Sequence, residues 1–324
     1  MLWSSIGVAL LALGVLRRAP WAPLTVFWQL RVPAALAALA VAALAAAADP
    51  PGAQLLSAGA LAVLARVAWE RRRGARRARS SGPVGSLGVV TLNCGLHRSD
   101  PERVAAFLRD CGADLVAVQE IQSEHALVLA RELRGTHPHQ VLHGTGIDGI
   151  GLLSRFPIAA HSLIRLGAAH PYLVATVESP LGPLRVVVFH PPAALAVRGS
   201  EHPAVADLRT LAEEAAASGP ALMLGDLNST AATAAWDAVT RAGFRDTFRD
   251  AGSGAGVTFP VPLRYLWLPV PPLVRIDFVF ATPDLAAARA EVGPPTTSDH
   301  LPLFVTLVEP RPADAARGHL LRAV

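Results

Sequence analysis

No lysine occurs in this sequence: all 29 of its lysine-plus-arginine positions are arginine, against a background rich in alanine, proline and glycine. Arginine abundance therefore reflects base composition as much as chemistry, and it carries no argument for a nucleic-acid binder by itself. Cysteine is almost absent too. Cys94 and Cys111 are the only two, which excludes a disulfide scaffold and any cysteine-rich metal site and leaves the redox compartment open. Charge is scarce at 17% while apolar residues reach 52%. That balance is too greasy for an ordinary soluble domain and points to a part of the chain in lipid.

The apolar excess lies at the front. Residues 2–16, 32–48 and 54–69 are three apolar stretches, the last two separated by Asp49, Pro50, Pro51 and Gly52, a tight-turn signal. Each is near the short limit of the ~17 to 25 residues that cross hydrocarbon. Three transmembrane helices over residues 1–70 are the expectation, with Arg66 reaching toward an interface; a helical hairpin buried in a soluble domain is the other arrangement these residues allow. Six arginines between Arg71 and Arg79 then make residues 71–83 a basic linker. Residues 1–83 hold ten arginines against Asp49 and Glu70, a net +8, which leaves 19 arginines against 23 acids, a net −4, beyond. The high isoelectric point thus belongs to the anchor. The remaining chain lacks the basic face of a generic nucleic-acid binder.

Residues 84–310 read as one strand-rich domain with interspersed helices, and 311–324 as a C-terminal tail. Strands are expected at 87–93, 115–118, 150–153, 172–177, 184–189, 221–224 and 275–280, with a last one begun by Asp299 and His300. Asp100 and Pro101 open a helix that Cys111 and Gly112 close, and 204–217 has amphipathic spacing. The pattern suits an α/β sandwich of two packed sheets with flanking helices. Strand ends deliver polar groups repeatedly: Asn93, Glu120, His190, Asp226 with Asn228, Asp277, and Asp299 with His300. Singly each has a bland reading: Asn93 as a turn former, Glu120 as a cap, Asp277 as the partner of Arg275. Six strand ends of this kind are hard to assign to solvation.

That ordered series, with Gln119, the run Ser154, Arg155, Phe156, Pro157, and the run Gly225 to Asn228, resembles the endonuclease/exonuclease/phosphatase superfamily, the DNase I-like fold. The apolar front and the run Gly256, Val257, Thr258, Phe259, Pro260 are similar to its membrane-anchored bacterial branch, that of the VanJ-type teicoplanin-resistance proteins. The resemblance implies a four-layer α/β sandwich and a metal-dependent phosphoric ester hydrolase. Glu120, Asn93 and Asp299 would be hard ligands for Mg²⁺ or Mn²⁺. His300 would be the general base oriented by Asp277; His190 and Asn228 would bind phosphoryl oxygens, and Asp226 would place the water or leaving group. The substrate is expected to be a phosphodiester or phosphoanhydride, with a lipid-linked phosphate favoured by tethering to the plasma membrane. A nuclease of the same superfamily and a catalytically silent membrane-tethered binding module are the alternatives; the intact acid, base and metal positions speak against the second. Sidedness is in conflict, since arginine bias puts the domain in the cytoplasm and the branch resemblance puts it outside.

Overall fold

The chain is described here from a computed structural model, over residues 31–45, 50–75, 85–95, 99–167, 170–193, 202–231, 233–261 and 274–310. Twelve strands among them form two six-stranded sheets. The first sheet contains β1 (Leu87–Asn93), β2 (Leu115–Gln119), β3 (His139–His143), β4 (Ile150–Ser154), β11 (Ala286–Val292) and β12 (Leu303–Val308), in the order β11-β12-β1-β2-β4-β3. The second contains β5 (Ile158–Ile164), β6 (Tyr172–Ser179), β7 (Gly182–Phe189), β8 (Ala221–Asp226), β9 (Arg245–Asp246) and β10 (Asp277–Ala281), in the order β5-β6-β7-β8-β10-β9. At the centre of each sheet two strands run parallel, β1 with β2 and β7 with β8, and their neighbours run antiparallel.

Strict alternation builds three apolar layers from these strands. Leu87, Val89, Leu115, Ala117, Leu184, Val186, Val188, Leu222, Leu224 and Val279 face between the sheets. Val90, Leu92, Val116 and Val118 turn outward onto α3 (Pro101–Asp110) and α4 (Ser123–Glu132). Met223, Phe278 and Phe280 turn outward on the other side onto α5 (Pro203–Ala217) and α6 (Ala234–Arg241). The result is helix, sheet, sheet, helix, as expected for a four-layer sandwich. The side chain of Asp100 caps α3 by accepting from the amides of Glu102 and Arg103, with Pro101 in the first turn. Both cysteines are free, Cys94 buried and Cys111 half-buried.

The N-terminal expectation needs correction. The first apolar run, residues 2–16, lies outside the described residues, as do residues 76–83 of the expected linker, whose first five residues belong to a helix, and the tail 311–324. The second and third form helices α1 (Arg31–Ala45) and α2 (Pro50–Ala75), packed on each other through Ala35, Ala38, Ala42, Ala53, Leu56 and Ala60. No helix among the described residues is long and apolar enough to cross a membrane. The reason is length: the 15 residues of α1 reach only ~22 Å at 1.5 Å per residue, against ~30 Å of hydrocarbon. α2 is longer, but Gln54 near its start and Glu70 to Arg73 near its end cut its apolar span. It lies against α7 (Thr247–Ala251), the short helix beside β10.

Candidate active site

The alternation that fills the inter-sheet layer also decides what stands at its end. Asn93 follows Val89 and Thr91 on that face; His190 continues Val186 and Val188; Asp226 continues Leu222 and Leu224; Asp277 precedes Val279. Register completes the alignment, because Asp226 lies directly across from Asp277, and Asn93 beside Gln119. The polar groups are therefore the last layer of the core, where the carboxyl ends of β1, β2, β7 and β8 meet the start of β10. Gly225 permits the closeness of β7 and β8: its φ is +148°, and a Cβ there would come within 2.0 Å of the Phe189 carbonyl oxygen.

Glu120 does not follow from alternation. Gln119 takes the inward position, where its side-chain oxygen accepts from Thr91 Oγ1 at 3.2 Å, so Glu120 would point outward. A left-handed backbone, φ 54°, turns it back. Non-glycine residues seldom adopt this region, and where they do the surroundings hold them there. Asn228 is the other case, φ 49°.

These side chains form one connected cluster. Asn93 Nδ2 donates to Glu120 Oε1 and to Asp226 Oδ2, both at 3.0 Å, while its oxygen accepts the amide of Gly95. Asp226 Oδ1 accepts the amide of Asn228 at 2.7 Å. Asp226 Oδ2 also lies 3.7 Å from His190 Nε2 and 3.8 Å from His300 Nε2. His300 Nδ1 donates to Asp277 Oδ2 at 2.9 Å. Asp277 is fully buried, and its other oxygen has no hydrogen-bond partner among the described residues.

Burial sets the protonation pattern. It pushes the carboxyl of Asp226 up to about 7, reinforced by Asp277 opposite and resisted by His300 and by the amides of Asn228 and Asn93. Burial also works against an imidazolium at His300, but Asp277 and Asp226 outweigh it and push that group up to about 10. His190 goes the other way: burial lowers its pKa, with Glu120 opposing, so its ring is neutral. Because Nδ1 meets the carbonyl of Ile147 at 3.2 Å, that nitrogen carries the proton. Nε2 is then an acceptor, 3.2 Å from the Asn228 amide nitrogen and 3.4 Å from Glu120. It would donate to a phosphoryl oxygen only as imidazolium.

Two groups of donors have the compactness of a cation site: Glu120, His190 and Asp226, and Asp226, Asp277 and His300, each with ligand atoms within 4.8 Å of one another. The first fits a divalent cation, since two carboxylates and a neutral imidazole converge there, the imidazole nitrogen exchanging its bond from Asn228 for the ion, and Glu120 keeps partial access to solvent. Asn93 turns its NH₂ toward these carboxylates, so in this geometry it orients them rather than offering its oxygen. Asp299 belongs to neither group. Its carboxylate lies over Gly95, where a Cβ would come within 2.5 Å of Oδ1.

The partner of Arg275 differs from the bland reading. The guanidinium makes a two-pronged bond to Asp246 at 3.0 and 2.6 Å, between the rings of Phe248 and Phe278, and leaves Asp277 to His300. Sequence reasoning gave no role to Ser298, whose hydroxyl donates to the Asn93 carbonyl and accepts the His300 amide, or to Phe259, quoted only within the run 256–260, whose ring lies 4.7 Å from that of His300. Only the place of Ser298 two residues before His300 could have signalled the first.

Comparisons with known proteins agree with this architecture. The chain superposes on an endonuclease/exonuclease/phosphatase family protein from Leptotrichia buccalis with a TM-score of 0.55 and 18% identity, covering 68% of this chain and 99% of that one. A mannosyl-6-phosphatase from Bacteroides thetaiotaomicron gives 0.52 and 17%, covering 68% and 99%. D. rerio TDP2 complexed with a single-strand DNA product gives 0.54 and 14%, covering 69% and 99%. At such identities the likeness concerns the fold. No curated protein sequence matches the chain. The profile of the Endonuclease/Exonuclease/phosphatase family matches residues 90–300, well over half of the sequence and all of the cluster described above, and the chain belongs to that family.

Proposed function

We propose that this protein is a divalent-metal-dependent phosphoric ester hydrolase acting on a phosphodiester or phosphoanhydride. The observation that carries the reading is the buried Asp277–His300 pair, 2.9 Å apart, set against a second carboxylate, Asp226, that is itself joined through Asn93 to Glu120. A Mg²⁺ or Mn²⁺ ion held by Glu120 with Asp226 and His190 would neutralise phosphoryl charge and relieve the negative potential that keeps His300 protonated. With the site so loaded, His300 Nε2 would take the proton of the attacking water, and Asp277 would hold the imidazolium that forms. The Asn228 side-chain amide donates to the Pro191 carbonyl at 2.9 Å and to His190 Nε2 at 3.2 Å; with His190 bound to the ion, its second N–H would be released to meet a phosphoryl oxygen. Asp226, ionised as a ligand of that ion, would position the attacking water or the leaving oxygen.

The substrate we favour is a lipid-linked phosphate at a membrane surface. What supports this is the apolar run at residues 2–16 and the six arginines from Arg71 to Arg79, which would attract the chain to anionic lipid. Nucleic acid is disfavoured by the net −4 of residues 84–324, where 19 arginines face 23 acids.

A Mg²⁺-dependent hydrolysis screen of the full chain in detergent should offer a nuclease substrate, a phosphoinositide, sphingomyelin and an isoprenyl pyrophosphate. At least one is expected to turn over. Glu120→Gln keeps the shape and removes charge, so activity should fall and recover in part with excess Mg²⁺. Turnover indifferent to chelator, or no turnover of any class, would sink the assignment.

A further inference from the structure

The Asp277–His300 bond joins two different sheets. Asp277 opens β10 in the second, and His300 stands just before β12 in the first. A hydrogen bond across sheets stacked ~10 Å apart is lost if either lead-in shifts by an ångström, so something must tie the two lead-ins together. Residues 258–261 do this. Thr258 and Phe259 donate their amides to the Val274 carbonyl at 2.8 and 3.0 Å, and the Val274 amide returns a bond to Phe259 at 2.9 Å. The hydroxyl oxygen of Thr258, fully buried, accepts the amides of Ile276 and Asp277 at 3.3 and 3.4 Å. On the other side the Leu301 amide donates to the Thr258 carbonyl and the Val261 amide to the Asp299 carbonyl, both at 2.8 Å. One short segment thus bonds the residues flanking Asp277 and those flanking His300. Phe259 adds a ring 4.7 Å from the imidazole, tilted at 42°, which covers a face of it.

We propose that Thr258 and Phe259 are positioning residues for the Asp277–His300 pair: the segment is a clasp that fixes the distance between the two sheets at the reacting imidazole. The Thr258 hydroxyl holds the Asp277 side, its carbonyl holds the His300 side, and the Phe259 ring sets the imidazole plane. The catalytic consequence rests on the hydrolase reading above; the geometric one does not.

Two readouts on the full chain separate these. The first is the ¹H NMR signal of the His300 Nδ1 proton in the metal-free protein, identified by its loss in His300→Ala and Asp277→Asn. Thr258→Val keeps volume but removes the acceptor, and should move or broaden that signal; Thr258→Ser should restore it. The second is turnover: Thr258→Val should lower kcat by ~10- to 100-fold, the scale of a misplaced reacting group, with KM little changed. In a His300→Ala background the same substitution should cost under about 2-fold, because residues acting as a unit are not additive. Should Thr258→Val not fold, Phe259→Leu carries the same comparison, with Phe259→Tyr, which keeps the ring, as its conservative control. An unmoved proton signal, or equal kcat losses in both backgrounds, overturns the clasp. If no substrate is turned over, the hydrolase reading fails and the proton signal still decides for or against the clasp.

Discussion

Two buried carboxylates stand near the two ends of β10, in opposite electrostatic condition. Asp246 is saturated: it accepts both prongs of Arg275, the indole N–H of Trp236 and the first amides of α7. Burial alone would raise its carboxyl, but Arg275 and these donors hold it below the usual range. Asp226 is left short. No arginine reaches it among the described residues; its neighbours are two carboxylates, two imidazoles and two asparagines, and it rises to about 7. Equal burial, 3% and 1% exposed, therefore does not decide what a carboxylate is for. A protein that needs only a stable core supplies the arginine, as at Asp246. A concentration of negative charge left without one is a place kept for a cation and for chemistry.

The largest effect expected from breaking this contrast is on turnover. His300→Ala should lower kcat by ~10² to 10⁴-fold, the usual range for a positioned base. Asp277→Asn should act through the same imidazole, so the double variant ought to be little slower than His300→Ala. Steady-state rates on the substrate found in the screen would show this. Fully multiplicative losses would separate the two residues and dissolve the pair as a unit.

Next comes the saturated carboxylate. Asp246→Ala strands Arg275, only 13% exposed, between two rings with no counter-charge, and removes the cap of α7. Breaking a buried pair from one side costs ~3 to 5 kcal/mol, which urea unfolding would register. Arg275→Met, which leaves no stranded cation, should recover part of the loss. An Asp246→Ala variant as stable as the parent would show that the pairing is not what holds this corner.

This contrast was only half visible in the sequence. The strand ends are legible because near-continuous apolar runs from Leu87 to Leu92 and from Ala221 to Leu224 close on Asn93 and Asp226, but both faces of these strands are buried, so which face lies between the sheets is not. Glu120 is not legible by the same rule, since its place depends on a left-handed turn that alternation cannot show. Nor is the Asp246–Arg275 pair, whose partners are 29 residues apart; proximity in sequence suggested Asp277 instead. β11 reads Ala-Ala-Ala-Arg-Ala-Glu-Val, a helix-favouring composition, yet it is a strand because β12 offers an open edge and pairing overrides propensity. At the front, hydropathy reported apolar content correctly and said nothing about whether each helix was long enough to span.

A smaller effect is expected at Asp226, and with reversed sign. In chelator, Asp226→Asn should stabilise the fold at pH 8 by ~1 to 2 kcal/mol, because one pKa unit is worth ~1.4 kcal/mol and the asparagine gives up an acceptor in exchange. The raised folded pKa means that stability from this group is complete below 3.8 and lost as pH rises through about 7. For Asp246, held low, the stability is complete above 3.8 and lost as pH falls through its lower folded value. Denaturant melts of the parent and the Asp226→Asn variant should thus diverge between pH 4 and 8, and added Mg²⁺ should close the gap. A variant less stable than the parent at pH 8 in chelator would mean that Asp226 is a structural carboxylate like Asp246.

The smallest effect belongs to a pairing that looks as good as that of Arg275 when judged by distance. Arg131 reaches Glu102 at 2.6 Å and Glu132 at 2.9 Å, but Arg131 is 60% exposed and Glu102 58%. Water solvates both ions before and after separation, salt screens them, and fixing two long side chains costs entropy that offsets the contact. Arg131→Ala should therefore leave the urea midpoint almost where it was, and raising the salt should shift parent and variant alike. If Arg131→Ala instead destabilised the protein as much as Asp246→Ala, geometry rather than burial would be the measure of an ion pair here. The argument that separates the structural carboxylate from the one kept for a cation would then lose its footing.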